Sequence, residues 1–599
     1  MNIVFVSALF ASIIHLSPDG TNDMTRAFQD ALKSDTTIEL QRGTYHFYSE
    51  KMPVIHNRIS NHDQPKTHPV GVGFENVKNA HISGHDSIFM FHGPSIGIAF
   101  CHAENCSVTG VTVDFLRSHN MDAKIVRFEK TDDEGLRTVV AIDKDLFPHV
   151  LSNGQLFFEN GASNGWTTIN STMLFDGTTH ELVEGSGDLP VWDQKKHVVR
   201  QYEDGTYSLP FDYSRPKFEM HGQGRTEGGC RGAKVGDILS FRNWGRPHPA
   251  VFMDESKDIA LVDVSIRASF GMALLAQLTE NITFRGTTPL FRDARAQYKN
   301  LSIPELRARA KSGVFPSRGR YYSSSADATH FSNCRGRIIM YNSFFEGMMD
   351  DAINVHSTSM AITNIMDKLH LRAVFKHRQS VGLPLFAAGD KVQFIKGPVL
   401  EDREIGEVAH CRRINQNEIM IELKEPIPDG IAIGDTIEDA SWYPEIMFKS
   451  NYICHNRARG ALFTTPKPIL CENNIFDTIS GSGVLLAGDA QGWYESGACH
   501  DVSIFNNVFR NCLTSKYQFT EGIISIYPEV KYLNWQTENY HSNIRVYHNI
   551  FDTFDVPLFY GHSFKNLAWH DNEVKYNHDY TPWGSAPFIY YHAQDVIYR

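Results

Sequence analysis

Residues 451–476 read NYICHNRARGALFTTPKPILCENNIF, and the two ends of the stretch match in pattern. Asn451-Tyr452-Ile453 returns 23 residues later as Asn474-Ile475-Phe476. An Asn followed by two mostly apolar residues occurs again at Asn342-Ser343-Phe344, Asn507-Val508-Phe509, Asn549-Ile550-Phe551 and Asn572-Glu573-Val574. The step from Asn549 to Asn572 is also 23, while the steps of 33 and 42 on either side of Asn507 fit one coil carrying a loop, or two short coils. Self-similarity at roughly 20–50 residues marks a solenoid or a propeller. Short strands with Asn at the corner favour the solenoid, because Asn tolerates left-handed backbone and its amide can stack between coils. An array of β-sandwiches has no reason to keep a step of 23. The predicted fold is all-β, a right-handed parallel β-helix.

Outward from this stretch, the same short-strand texture appears at VKNAHISGHDSIFMFHG from Val77, at ENCSVTGVTVDF, KDIALVDVSI and ENITFRGTTPLF, and at CRGRIIMYNSFFEG. Before it, residues 22–33 (NDMTRAFQDALK) carry Met24, Phe28 and Leu32 at four-residue spacing, the pattern of a short amphipathic helix. Such a helix suits the open end of a solenoid. Two segments break the rhythm with longer alternating strands and more charge. They share Gly236-Asp237-Ile238-Leu239-Ser240-Phe241 and Gly389-Asp390-Lys391-Val392-Gln393-Phe394, with a weaker third copy at Gly434-Asp435-Thr436-Ile437. We read them as small β-barrel-like domains inserted into the helix. The expected organisation is therefore helix over 1–115, insertion over 116–250, helix over 251–360, a second insertion over 361–440 and helix over 441–599.

The chain has 599 residues, 42% hydrophobic and 21% charged, with a net charge of −12 and no basic run. Nucleic acid is an unfavoured partner, and so is an anionic substrate. Twenty-three Tyr and eight Trp tilt the reading toward carbohydrate, since their rings stack on sugar faces. Nine Cys without a CxxC pair indicate neither a disulfide framework nor a zinc site. The apolar run Ile3 to Ile14 is too short to span a bilayer and no other stretch is long enough, so no membrane span is expected. That run reads either as a signal-peptide core or as a first strand, although no Lys or Arg precedes Arg26. Export is expected.

Candidate chemistry lies in Glu346-Gly347-Met348-Met349-Asp350-Asp351-Ala352-Ile353-Asn354-Val355-His356. Strand alternation puts Ile353 and Val355 on one face and Ala352, Asn354 and His356 on the other, with Asp350. Asp351 would then fall on the apolar face, where a lone carboxylate is costly, so the chain should bend there and bring both acids to one pocket. Alone, Asp-Asp reads more readily as a turn. A third acid, Asp327 in SSSADATHF, lies 23 residues before Asp350, one coil away. Three acids in one patch are the material of acid/base glycoside hydrolysis. Arg457 and Arg459 would share a face if NRARG is a strand, ready for sugar hydroxyls or for an acid; a surface ion pair is the plainer reading. Trp493 and Glu495 sit in the Gly-bounded loop GWYESG, suited to a sugar face and its hydroxyls, although a buried anchoring Trp is as common. His330 and His356 are candidate hydroxyl donors, though a lone His is more often structural. No cofactor and no metal is implied, because Asp-Asp lacks the Asp-x-Asp-x-Asp spacing of a calcium loop.

Taken together and in order, SADATHF (325–331), EGMMDDAINVHS (346–357), NRARGALFTTP (456–466) and GDAQGWYESGA (488–498) resemble glycoside hydrolase family 110. The fit is nearly end to end and weakest over 1–20 and 116–250. The resemblance implies a β-helix with inserted barrels and an exo-acting α-1,3-galactosidase that removes terminal galactose with inversion, from α-galactosyl-terminated glycans such as the blood group B determinant. It implies catalytic acids at Asp327, Asp350 and Asp351. Of these, Asp350 is assigned as general acid and the other two as the pair that holds and activates water; exchanging Asp350 and Asp351 fits the sequence equally. Two other readings share the fold. One is a pectin-type hydrolase, disfavoured by the acidic net charge. The other is a non-catalytic sugar-binding adhesin.

Overall fold

The computed structural model describes residues 12–131, 135–161, 165–186, 188–189, 191–192, 197–214, 231–286, 293–311, 319–515 and 521–599. Within them the chain winds as a right-handed parallel β-helix. One face of the coils is a ladder of parallel strands: Val251–Asp254, Leu274–Gln277, Thr329–Ser332, Ile353–Ile365, Ala461–Phe463, Val484–Asp489, Ile524–Glu529 and Phe559–His570, each paired with the next. A second face stacks Phe344–Glu346, Tyr452–Cys454, Ile475–Asp477, Val508–Arg510, Ile550–Thr553 and Glu573–Tyr576.

The recurring triplet explains this second face residue by residue. Its Asn side chains form a ladder: Asn451 Nδ2 donates to Asn474 Oδ1, Asn474 to Asn507, Asn507 to Asn549 and Asn549 to Asn572, at 3.0–3.1 Å. The steps of 33 and 42 are thus single coils with loops. The middle residue points outward: Tyr452, Ile475, Val508 and Ile550 pack against the helices Ala294–Asn300 and Ile303–Ala310. The third points inward, and Phe476, Phe509 and Phe551 stack with centroids 4.9 and 5.1 Å apart. Asn342 departs from the expected alignment. Phe344 pairs with Tyr452, so Ser343 holds the ladder position and accepts no place for Asn342 there. Asn342 occupies the preceding left-handed position (φ 55°), as do Ser450, Asn473, Asn506, His548 and Asp571 in later coils. The laddering and the left-handed turn belong to adjacent positions.

At the N-terminal end, Ser12–Leu16 is a strand paired with Thr36–Leu40, and the helix Thr25–Ala31 buries Phe28 against Tyr45, Phe47 and Phe89. The first insertion forms a six-stranded antiparallel sheet that includes Asn120–Thr131, Gly135–Ile142, Ser171–Phe175 and Ile238–Arg242, with its own core around Met121, Leu174 and Phe241. The second closes as a six-stranded barrel. Ile353–Ile365 pairs with His370–Val374, then Glu418–Leu423, Glu401–Arg413, Lys391–Lys396 and Thr436–Asp439, which returns to Ile353–Ile365. The three Gly-Asp repeats make one turn three times. Gly236, Gly389 and Gly434 have φ of 94–100°. The next Asp accepts the backbone N–H three residues back, from Lys234, Ala387 and Ala432 respectively.

Among the described residues no helix is long and apolar enough to cross a membrane. The eight described cysteines are free thiols.

Candidate active site

One corner of the coils, just before the ladder strands, collects the charged side chains. Asp327 precedes Thr329–Ser332, Asp350 and Asp351 precede Ile353–Ile365, and Arg459 precedes Ala461–Phe463, so three successive coils supply them. The register between the first two is 24 residues, Thr329 against Ile353. The chain bends through Asp350 before the strand begins, and Asp351 lies outside it, as the cost of a carboxylate facing the core requires. Ile353 and Val355 enter the main core while Asn354 and His356 face away from it; Ala352, expected on the polar face, belongs to the core because it precedes the strand.

Asp327, Asp350 and Asp351 each offer an oxygen within 4.8 Å of the others. Their side chains are 5%, 18% and 1% exposed, so Asp350 alone of the three opens onto the cleft. Burial first, and then the Asp350 charge, push the Asp327 carboxyl well above the ordinary carboxylate range. Burial also raises Asp351 well above it; Arg459 opposes this, and Asp350 and Asp327 reinforce it. Arg459 donates to Asp351 from its backbone N–H and from Nη2, both at 2.9 Å. Arg457 Nη1 stands 3.3 Å from Asp350 Oδ2, and Arg246 Nη2 stands 3.7 Å from it. NRARG is not a strand: residues 456–459 are a bend with Ala458 at φ 66°, and this turn, not strand alternation, delivers both arginines to the acids.

The other sequence-predicted residues converge behind and beside the acids. His330 Nδ1 lies 2.6 Å from Asp327 Oδ2, and its Nε2 lies 2.7 Å from His356 Nε2. Glu495 accepts from Asn61 at 2.7 Å and from Asn354 at 3.2 Å, and lies 3.6 Å from His356. Burial alone would raise Glu495, but His356 and His330 hold it below its usual value. Trp493 is 37% exposed, with its ring 4.2 Å from that of His377 and the Arg246 guanidinium 5.9 Å from its centroid. His377 comes from the second insertion, which thereby reaches Trp493.

Several residues of the site were not singled out from sequence. Asp188, from the first insertion, bridges Arg457 at 2.7 Å and Arg242 at 2.6 Å. Glu529, at the end of Ile524–Glu529, is pushed up to about 7 by burial and by Asp489. Asp489, in the quoted GDAQGW motif, folds its loop by accepting from the N–H groups of Gln491, Gly492 and Trp493. Asp188, Arg242 and Arg246 carry no motif of their own and reach the site only through the first insertion.

Donor atoms within 4.8 Å of one another occur in the three acids and in His330, His356 and Glu495. The two imidazole Nε2 atoms at 2.7 Å are closer than nitrogens sharing one tetrahedral metal, which stand about 3.3 Å apart when each bond is about 2.0–2.1 Å. They stand at hydrogen-bond distance. A cavity of about 780 Å³, lined by Arg307, Lys311, Tyr321, Phe344 and His455 among others, includes none of the three acids.

Clustered carboxylates and arginines at one corner of a parallel β-helix are groups that can do acid/base work, and the relatives say on what. Residues 370–437 match the family model for the GLAA-B beta-barrel domain II. The chain is 39% identical to "Alpha-1,3-galactosidase B" of Akkermansia muciniphila over 94% of this chain and 65% of that protein. It is 34% identical to "Alpha-1,3-galactosidase B" of Bacteroides fragilis over 92% of this chain and 87% of that one. It belongs to the alpha-1,3-galactosidase B family, the glycoside hydrolase family 110 that its motifs resemble. The chain spans about two thirds of the Akkermansia relative's length. Among solved structures, a family 28 exopolygalacturonase of Yersinia enterocolitica aligns over 98% of this chain and 73% of that one, at 10% identity and a TM-score of 0.36. A likeness that weak carries nothing about the chemistry.

Proposed function

We propose that this chain is an exo-acting α-1,3-galactosidase that removes terminal α-1,3-linked galactose with inversion, from glycans such as the blood group B determinant. The observation that carries the reading is the convergence of Asp327, Asp350 and Asp351 within 4.8 Å, in a chain whose relatives bear that name. Asp350 is the general acid, because it is the carboxyl of the three that reaches the cleft. It protonates the glycosidic oxygen as that bond breaks. Asp351 and Asp327 hold a water on the other side of the anomeric carbon and take its proton. The nearest oxygens are closer than the roughly 6.5–9.5 Å between the carboxyls of a two-acid inverting site. Asp350 lies within the same 4.8 Å of the other two, so inversion requires the incoming sugar to part it from Asp351 and Asp327. Trp493 offers its ring face to galactose, and Glu495 with Asn354 offers hydroxyl partners.

The test is proton NMR of the purified protein with Gal-α1,3-Gal and with the fucosylated B trisaccharide, following the first anomer released. β-Galactose first supports the proposal, and the relative rates rank linear and branched substrates. α-Galactose first overturns the acid/base scheme and makes one of the three a nucleophile. Binding of both without turnover favours the adhesin.

A further inference from the structure

The two buried histidines next to Asp327 form a hydrogen-bonded chain whose polarity is fixed at one end. His356 Nδ1 lies 2.7 Å from the Ser357 carbonyl oxygen, which can only accept, so Nδ1 carries a hydrogen. His330 Nε2 and His356 Nε2 face each other at 2.7 Å, and one of them must carry a hydrogen, since two lone pairs at that distance repel. At the far end, His330 Nδ1 and Asp327 Oδ2 lie 2.6 Å apart and also share one. Three hydrogens therefore occupy three links. They can be placed as a protonated Asp327 with two neutral imidazoles, as an Asp327 carboxylate with a His330 imidazolium, or as a carboxylate with a His356 imidazolium. Each arrangement has a net charge of zero. Moving among them shifts hydrogens along existing bonds and calls for no solvent, which all three side chains, at most 5% exposed, largely exclude.

We propose that His330 and His356 are positioning residues that bind one proton jointly with Asp327, making the three a single neutral unit that stores the proton taken from the attacking water. The inference rests on the reading of Asp327 as a member of the water-activating pair. In the step itself, a water O–H bond breaks and its oxygen bonds to the anomeric carbon as the glycosidic C–O bond breaks and Asp350 protonates the leaving oxygen. The water's proton passes to the free oxygen of Asp327, the shared proton moves from Oδ2 to His330 Nδ1, and the next moves from His330 Nε2 to His356 Nε2, leaving the positive charge on His356. The unit becomes cationic, facing the Glu495 carboxylate 3.6 Å from His356. The charged and titratable groups facing the unit are Asp350, Asp351, Arg246, Arg459, Glu495 and His62. Burial and His356 hold the His330 imidazole down to about 3, which favours the form with the proton on Asp327 in the resting protein.

Neutron diffraction from deuterium-exchanged crystals of the whole chain tests the unit without any turnover. Deuterium is expected on His356 Nδ1, between the two Nε2 atoms, and between Asp327 Oδ2 and His330 Nδ1. An empty gap between the Nε2 atoms, or a metal ion there, overturns the proposal whatever the enzyme hydrolyses. The kinetic companion is His356→Gln, whose side-chain carbonyl still accepts from His330 but cannot take a proton, and His330→Gln, which breaks the unit. Both should keep KM within about twofold. kcat should fall about 100-fold in the second, the low end of general acid–base contributions, and about tenfold in the first, where Asp327 keeps its His330 partner. In His330→Gln the pH limb set by Asp327 should move about one unit lower, as expected when a group loses a proton-sharing partner. Unaltered pH profiles in both variants, with the loss confined to KM, overturn it.

Discussion

Arg459 donates to both oxygens of Asp351, from its backbone N–H to Oδ1 and from its guanidinium to Oδ2. The contact joins residues 108 positions apart, on coils that are neighbours because the second insertion lies between them in sequence. At 1% exposure, burial raises the Asp351 carboxyl well above the ordinary range, and Arg459 opposes that shift without cancelling it. Arg459→Met should therefore cost about 3–5 kcal/mol of stability, the penalty of breaking a buried pair. It should also lower kcat by about 100-fold or more, since without Arg459 the already raised Asp351 carboxyl rises further and is less often the carboxylate that acts on water. Thermal unfolding and steady-state kinetics on a synthetic α-galactoside read the two effects. Full activity in a folded Arg459→Met protein would remove Asp351 from the water-activating pair.

Assigning Asp350 as the acid has a distinct kinetic mark. An acid is needed most when the leaving group is a poor one. Asp350→Asn should lose about 10³-fold in kcat/KM on Gal-α1,3-Gal but far less on a galactoside with an activated phenol leaving group. Asp351→Asn should lose similarly on both. The reverse pattern would exchange their roles.

The asparagine ladder should be worth several times a surface amide pair. Asn474 donates to Asn507 and to the Phe448 carbonyl and accepts from the backbone and side chain of Asn451, all buried. Asn474→Ala strands those partners, at about 1–3 kcal/mol per unsatisfied group. A total loss of about 3 kcal/mol is expected in denaturant unfolding. Asn22→Ala, which removes one exposed bond to Asp19, should change stability by less than about 0.5 kcal/mol. Equal effects would mean that the ladder follows the coils rather than holding them.

The pH dependence of stability should show a second buried network. His455 lies 3.6 Å from Glu181 and 3.5 Å from Glu346. Burial alone would lower His455, but the two carboxylates raise it above its usual value. Burial alone would raise the two glutamates, but His455, with Arg307 at Glu181 and Lys311 at Glu346, holds each down to about 2. The His455 contribution is complete below about pH 6.5 and is lost as pH rises through its raised folded value. The glutamate contribution is complete above about pH 4.5 and is lost as pH falls toward 2. His455→Gln should thus destabilise most near pH 5–6, and the difference from the parent should shrink above neutrality. A difference that stays constant across pH in melting experiments would rule out a charged His455.

The fold was legible because the repeat writes each packing role into the same three letters. The ladder amide recurs from Asn451 to Asn572, the outward aliphatic and the stacked ring recur in the three coils of Phe476, Phe509 and Phe551, and the order survives inserted loops. Asn342 shows where the pattern misleads: the turn residue before the ladder is itself often Asn, so the letters alone cannot tell the two positions apart. Asp327, Asp350 and Asp351 could be found because neighbouring coils convert a sequence interval into proximity. Arg457 and Arg459 were found for a different reason from the one that places them, since a left-handed Ala458 gave no signal of its bend. Asp188 and Arg246 could not be found that way. They come from irregular segments of the first insertion, Arg246 reaching Asp350 and Asp188 reaching Arg457, and its docking is set by packing and not by any interval in the chain. The pairing of His330 with His356 was equally hidden, because the register between their strands is needed before their rings can be seen to meet.

The strand Ile353–Ile365 runs from the acidic corner into the barrel: its first residues pair in parallel with Thr329–Ser332 and Ala461–Phe463, and its last in antiparallel fashion with the barrel strands. A domain attached by a linker can be trimmed or exchanged like an accessory. This one is more like the far end of a beam whose near end carries Asn354 and His356. Reshaping the barrel therefore acts, through one backbone, on the strand that carries Asn354 and His356, while the three acids, which precede that strand, keep their places in the coils.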